Sequence, residues 1–350
     1  MPSWKSAIRT TASSRGTTET RVASHETRAE PIRLSICETR AGSIRLATRD
    51  SGLGTPVNPW VLAARPATLT AAVAPVLVGS ALSAADEVFT VDAFVVILFA
   101  ALAIQVGVNF ANDLADASRG ADTADRVGPK RAVASGLLTP SQMKRGIAVA
   151  FGLASIAGLY LIWLGGWVIL AIGVLSIIAA LAYTSGPVPY GYYGLGEVFV
   201  FIFFGLVATA GTRYVYDRTA PADAWWAGVA LGLLAAAILV ANNVRDEDTD
   251  RAAGKRTLAV LLGGRVNRQM YVAIVAGAFV TIAVAIMVGV LPVWSLLAFA
   301  AIPRAGILIR AMLSGTSGPA LIGVLTGTAR LQLIFAALLA GGILFENLSA

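Results

Sequence analysis

Residues 224–257 read AWWAGVALGLLAAAILVANNVRDEDTDRAAGKRT. The stretch opens as an apolar run of roughly twenty residues, the length that crosses the hydrocarbon core of a bilayer. It ends abruptly in Asn, Asp and Arg. A helix apolar on every side is buried in a large core or in a membrane, so this run predicts a membrane helix that delivers a charged loop to one surface. The pattern recurs in both directions. From Trp60 onward, apolar runs fall at 60–83, 92–113, 146–165, 167–185, 195–216, 224–245, 270–290, 292–312 and 328–346. The expected fold is all-α: a polytopic membrane bundle of about nine transmembrane helices. The breaks at Gly165-Gly166 and Leu291-Pro292 are so short that the helices flanking each must run antiparallel. Abundant Gly and Ala allow close helix contact in lipid.

Composition agrees. Of the 350 residues, 57% are hydrophobic and 13% charged, and the mean hydropathy is +0.74. Soluble domains carry about 25% charged residues, so a cytosolic globule is excluded, as is a disordered chain. The net charge of +7 does not imply nucleic acid, because it forms no basic soluble face. Residues 1–58 hold 9 Lys/Arg against 5 Asp/Glu, and 10 charges each fall in 113–145 and 245–268. The polar 1–58 segment contains a near-repeat, ETRAEPIRL at 26–34 and ETRAGSIRL at 38–46, and no apolar run of signal-peptide length. It is expected to be a disordered basic tail, or else a basic arm that touches anionic lipid headgroups. Residues 59–350 form the expected membrane-embedded domain. The single Cys37 and single His25 both lie in the tail, so cysteine metal clusters and Ser-His-Asp chemistry lose their residues.

The basic loops set the expected orientation. Arg119, Arg126, Lys130, Arg131, Lys144 and Arg145 follow the second span. Arg245, Arg251, Lys255, Arg256, Arg265 and Arg268 follow the sixth. The positive-inside rule then makes the even-numbered loops and the N-terminus cytoplasmic, with Arg213 and Arg218 after the fifth span as an exception.

These two loops share a grammar. The first is NFANDLADASRGADTADRVGPKRAVASG (109–136) and the second NNVRDEDTDRAAGKRT (242–257). Asn109 and Asp113, Asn112 and Asp116, and Asn242, Asp246 and Asp250 are spaced by four, so each set lines one helix face. Ladders of carboxylate and amide oxygens suit Mg²⁺, which takes oxygen ligands and is commonly held by one or two carboxylates plus substrate phosphates. Lys130, Arg131, Lys255 and Arg256 can grip the remaining phosphate oxygens. Arg119, Asp125, Glu247 and Asp248 read instead as charges that solvate helix ends. Arg65 is either a snorkelling anchor or a contact to a diphosphate or a carboxylate. Gly186-Pro187 and Pro189 are expected to break the chain after the fourth span, placing the tyrosines of 183–193 and Glu197 in a loop facing the charged loops.

The paired loops resemble the two aspartate-rich motifs of the UbiA-type intramembrane prenyltransferase superfamily. Finer features are similar to its 1,4-dihydroxy-2-naphthoate polyprenyltransferase branch, which serves menaquinone synthesis. They are WVLAARPATLTAAVAPVLVG (60–79), the 109–136 loop, YTSGPVPYGYYGLGEVFVFIFFG (183–205) and AGKRTLAV (253–260). The resemblance spans residue 60 to about 345 and implies nine membrane helices, Mg²⁺, a polyprenyl diphosphate and an aromatic acceptor that loses its carboxylate on transfer. It implies metal ligation by Asn112, Asp113, Asp116, Asn242, Asp246 and Asp250, with Asp116, Asp246 and Asp250 central to catalysis. Asn109, Lys130, Arg131, Lys255, Arg256, Arg65 and Tyr183 are the implied substrate contacts. One departure stands out: Gly120 occupies the place of the motif's last Asp, so that Asp122, or else Asp125, completes it.

In mechanism, negative charge growing on the leaving diphosphate needs neutralising, and the allylic cation must be kept from water. Phe110, Tyr183, Tyr190, Tyr192 and Tyr193 are available to face that cation. The active site is expected near the cytoplasmic face of the cell membrane. The rival readings are another acceptor such as 4-hydroxybenzoate, or a cation-coupled transporter. A transporter fits less well because the acidic residues gather at one membrane face and not at the midplane.

Overall fold

The computed structural model describes residues 58–119, 131–185 and 189–349, all within the unit Thr55–Ala350. The 1–57 tail, Asp122, Asp125, Lys130, Gly186 and Pro187 lie outside the described residues.

The chain enters through a short helix α1 (Pro59–Ala64) and turns at Arg65 into α2 (Pro66–Ala85). α3 (Val91–Ser118), α4 (Pro140–Gly165) and α5 (Trp167–Ala182) follow, then a 3₁₀ turn at Tyr190–Tyr192. α6 (Gly196–Phe201) continues through π-helical turns at Ile202–Val207 into α7 (Ala208–Asp217). α8 (Ala222–Arg245), α9 (Glu247–Ala252), α10 (Leu258–Leu262) and α11 (Gly264–Met287) come next. A 3₁₀ segment, Val293–Ala301, runs into α12 (Ile302–Leu313), and α13 (Leu321–Ser349) completes the set. No strand occurs among the described residues.

Eight helical stretches among them are long and apolar enough to cross a membrane. The sequence leads to nine. The difference is α5, whose 16 residues extend about 24 Å at 1.5 Å per residue, short of a hydrocarbon core of about 30 Å. Gly166, at φ 70°, starts it directly off α4, as the expected hairpin requires. The turn at Tyr183–Ser185 stops it three residues before the expected end at 185. The expected first span also divides, because Arg65 sits at φ 51° between α1 and α2.

Local signals place the remaining starts. Thr139 caps α4 in a capping box with Gln142, and Pro140 takes the first turn, where its missing N–H costs nothing. α8 is the central helix, packed against α2, α11 and α13, with Leu231, Leu234, Ala237 and Val240 fully buried. Gly205 in the π-helical turns lies against Gly232 of α8 so closely that a Cβ on Gly205 would stand 2.3 Å from the Gly232 Cα. Some polar groups within the bundle are paired with one another, which lowers the cost of placing them in lipid: Tyr271 with Thr328 at 2.7 Å, and Gln332 donating to the Leu231 carbonyl at 3.1 Å.

Arg213 is buried and bonds both Asp86 and Asp217 at 2.6 Å, while Arg218 donates to the Leu164 carbonyl. Both cations thus have partners within the protein, Arg213 buried and Arg218 exposed.

Candidate active site

A cavity of about 530 Å³ opens among α2, α3, α4, α5, α7 and α8. Its wall is apolar over most of its length, through Val76, Ile97, Leu161, Ile172, Phe203 and Val215. At one end the character changes to Arg65, Asn109, Asn112, Asp116, Arg131, Asn242, Asp246, Asp250 and Lys255. A lipid-like chain matches the apolar part, and an anionic head with cations matches the polar end.

α3 supplies the first motif. Asp116 is 2% exposed and accepts from three donors: Arg131 Nη2 at 3.0 Å, the Tyr192 hydroxyl at 3.0 Å and Lys255 Nζ at 2.9 Å. Burial first, and then the Asp116 carboxylate, push the Tyr192 hydroxyl above its ordinary range, so it stays protonated and donates. Asn112 accepts from Thr184 at 2.8 Å. Asn109 donates to the Ala64 carbonyl and to Thr68, which fixes the approach of α1 and α2. Arg65 reaches the cavity from its left-handed backbone position just before Pro66. A residue preceding proline favours extended geometry, so this placement is held by its surroundings.

Asp113 departs from the expectation of a ligand beside Asp116. It does not line the cavity, and its two oxygens accept the backbone N–H groups of Ala132 and Val133 at 3.0 Å. Its observed work is to anchor the chain that returns with Arg131.

The second motif has a break that the four-residue spacing hides. α8 stops at Arg245, and Asp246 is its cap at φ −97°, ψ 8°. The i→i−4 bonds nevertheless continue through Asp246 and Asp250, so the face survives the kink. Asp246 and Asp250 are buried and line the cavity, whereas the Asp248 side chain is 98% exposed. Arg245 is buried too. Its Nε and Nη2 clamp both oxygens of Asp246 at 2.7 and 2.6 Å, and Nη2 also donates to Asn242 at 2.9 Å.

Lys255 joins the two motifs. Its Nζ lies 2.9 Å from Asp116 and 3.8 Å from Asp250, and 4.9 Å from the centre of the Tyr192 ring. Arg119, expected as a solvated charge, is exposed and also stands over the same ring at 5.0 Å. Arg256 is exposed and outside the cavity; its backbone N–H bonds the Tyr192 carbonyl. Glu247 pairs with Arg251, as a helix-end charge should.

Tyr183 and Tyr190 line the cavity with rings 5.3 Å apart, edge to face. Gly191 and Gly196 lie against the Tyr183 ring, where Cβ atoms would come within 2.9 and 3.3 Å. Phe110 packs instead on Trp60, outside the cavity, and Tyr193 is exposed. Glu197 is not in a loop. It is buried in the first turn of α6 and accepts from Asn243 at 2.8 Å. The spacing argument also missed Thr184 and Asn243, whose partners come from other elements, and Arg245, which lies off the ladder whose Asn242 and Asp246 it holds.

No three or more acidic, His or Cys groups converge among the described residues as a ready metal cluster. Instead, amide and carboxylate oxygens of Asn112, Asp116, Asn242, Asp246 and Asp250 face one cavity end from two sides, interleaved with Arg131 and Lys255. An all-oxygen donor set with room for phosphate and water is the chemistry that suits Mg²⁺.

Comparison with known proteins points the same way. The UbiA prenyltransferase family matches residues 72–317. A 1,4-dihydroxy-2-naphthoate octaprenyltransferase of Mycobacterium tuberculosis is 40% identical over 294 residues, 83% of this chain and 98% of its own length. That of Escherichia coli is 36% identical over 252 residues, 70% of this chain and 81% of its own. A solved UbiA homologue from Archaeoglobus fulgidus, bound to DMAPP and Mg²⁺, shares the fold with a TM-score of 0.62 at 15% identity, covering 82% of this chain and 99% of its own. The chain belongs to the UbiA prenyltransferase family.

Proposed function

We propose that the protein transfers a polyprenyl chain from its diphosphate to 1,4-dihydroxy-2-naphthoate, giving the prenylated, decarboxylated hydroquinone, demethylmenaquinol. The observation that carries this reading is the polarity of this cavity. Two aspartate-bearing helix ends and the cations Arg65, Arg131 and Lys255 sit at one end, and an apolar channel leads away from them. The relatives named above supply the acceptor.

The diphosphate head lies at the polar end, beside Arg131 and Lys255, and the isoprenoid tail in the apolar part. Asp116, Asp246 and Asp250, with Asn112 and Asn242, would hold Mg²⁺, which would supply Lewis-acid neutralisation of the departing diphosphate. Arg131 and Lys255 add fixed positive charge where the bond between the prenyl carbon and oxygen breaks. Apolar walls exclude water from the allylic carbon, and Tyr183 and Tyr190 present π-faces to it. The new bond forms to the ring carbon that carries the carboxylate, which leaves as CO₂. Asp113 serves by holding the returning chain, and Asp122 and Lys130 are retained as further contacts to metal and phosphate. The charge pattern of the loops favours a cell-membrane protein with its active site near the cytoplasmic face.

The test is an acceptor panel. Membranes containing the protein, Mg²⁺ and labelled polyprenyl diphosphate should prenylate 1,4-dihydroxy-2-naphthoate and leave 4-hydroxybenzoate nearly untouched. Preference for 4-hydroxybenzoate would overturn the acceptor and spare the fold.

A further inference from the structure

Two neighbouring amides on α8 are anchored by side chains of opposite charge. Asn242 and Asn243 both line it, and each is held from behind by a buried charged side chain. Arg245 can only donate, and it bonds the Asn242 oxygen at 2.9 Å. Glu197 accepts from the Asn243 amide nitrogen at 2.8 Å. One N–H of Asn243 Nδ2 is thereby taken by Glu197, which turns the amide so that its carbonyl Oδ1 is the end directed away from that carboxylate. Glu197 and Asn243 are 6% and 5% exposed, and the second oxygen of Glu197 is buried without a hydrogen-bond partner among the described residues. Burying a carboxyl group this poorly satisfied is costly, and its one bond orients Asn243.

A carbonyl oxygen repels phosphate and attracts a hydroxyl. Tyr183 stands on the same wall, packed against Gly196, the residue before Glu197. We propose that Asn243 Oδ1 receives a phenolic hydroxyl of the aromatic acceptor, and that Glu197 is the positioning residue that keeps this oxygen turned toward the cavity. The inference rests on the aromatic hydroxy acid proposed above and adds the group that reads its hydroxyl. A site built to bond a hydroxyl discriminates strongly against an analogue that cannot donate.

The experiment compares 1,4-dihydroxy-2-naphthoate with its two mono-methyl ethers in wild type, Asn243→Ala, Glu197→Leu and the double variant. Wild type should use at least one ether about tenfold less well or worse. Both single variants should raise the KM for the dihydroxy acid by about tenfold and erase most of that discrimination. The double variant should be no worse than either single one, since the two residues act as a unit. The KM for prenyl diphosphate and the Mg²⁺ requirement should stay unchanged. Should Glu197→Leu fail to insert, Asn243→Ala decides the matter. Discrimination that persists in Asn243→Ala would overturn the proposal. So would a shift in prenyl diphosphate KM or Mg²⁺ requirement with acceptor KM intact, which would make Asn243 part of the head-group site. A wild type that ignores the dihydroxy acid altogether defeats the functional reading itself, a result distinct from either of these.

Discussion

At the scale of single residues, burial separates carboxylates that the sequence makes look alike. Asp246 and Asp250 face the cavity, and Asp248, between them, faces outward. Asp116→Asn and Asp246→Asn each remove one negative charge without changing shape. Each should lower turnover by at least about a hundredfold, the scale of a lost electrostatic stabiliser. Asp248→Asn should stay near wild type when rates are normalised to protein in the membrane. Equal damage from Asp248→Asn would mean that the cavity face is wrongly assigned. Lys255 touches Asp116 and Asp250, so Lys255→Ala should weaken the apparent affinity for prenyl diphosphate far more than for the aromatic acceptor. Comparable losses for both substrates would remove Lys255 from the head-group end. The four-residue spacing made the buried Asp face legible in the sequence. It could not reveal that Asp113 turns to the amides of Ala132 and Val133, because those partners return from a loop 19 and 20 residues away. Nor could it reveal Arg245 as the holder of Asp246, since a charge at a helix end reads as solvated until its burial is known.

At the scale of elements, apolar run length located the long helices and missed what bends them. The kink at Asp246, the turn at Arg65 and the short α5 depend on backbone angles that hydropathy does not encode. The same holds for the π-helical turns at Ile202–Val207, which carry Gly205 against α8. A side chain at position 205 would meet backbone atoms of Gly232 and Gly228, at 2.3 and 2.6 Å, that cannot yield by changing rotamer. Gly205→Leu should therefore force the π-helical turns and α8 apart and cost about 1–3 kcal/mol or more, as overpacking does. The measurement is the temperature of half-inactivation in detergent, which should fall relative to wild type. An unchanged value would show that this helix pair tolerates separation and that the close approach carries no stability.

At the scale of the whole molecule, one cavity joins the two halves of the chain. Asp116 comes from α3 and Asp246 and Asp250 from the end of α8 and from α9, more than a hundred residues later, and Lys255 and Tyr192 tie them together. The family match begins at residue 72, beyond the polar 1–58 segment. Deleting residues 1–55 should leave membrane insertion and turnover close to wild type. Lost turnover in a truncated protein that still inserts would assign the basic segment a role. The central claim is that the polar end of this cavity holds a diphosphate through divalent metal while the apolar part aims its prenyl carbon at the naphthoate. Its most direct test is the mass of the product formed by the full chain in proteoliposomes supplied with polyprenyl diphosphate and 1,4-dihydroxy-2-naphthoate. The expected product is the acceptor plus one prenyl chain, less CO₂, formed with Mg²⁺, abolished by EDTA and restored when Mg²⁺ is returned. Product that persists in EDTA, or none with Mg²⁺ present, would contradict the account.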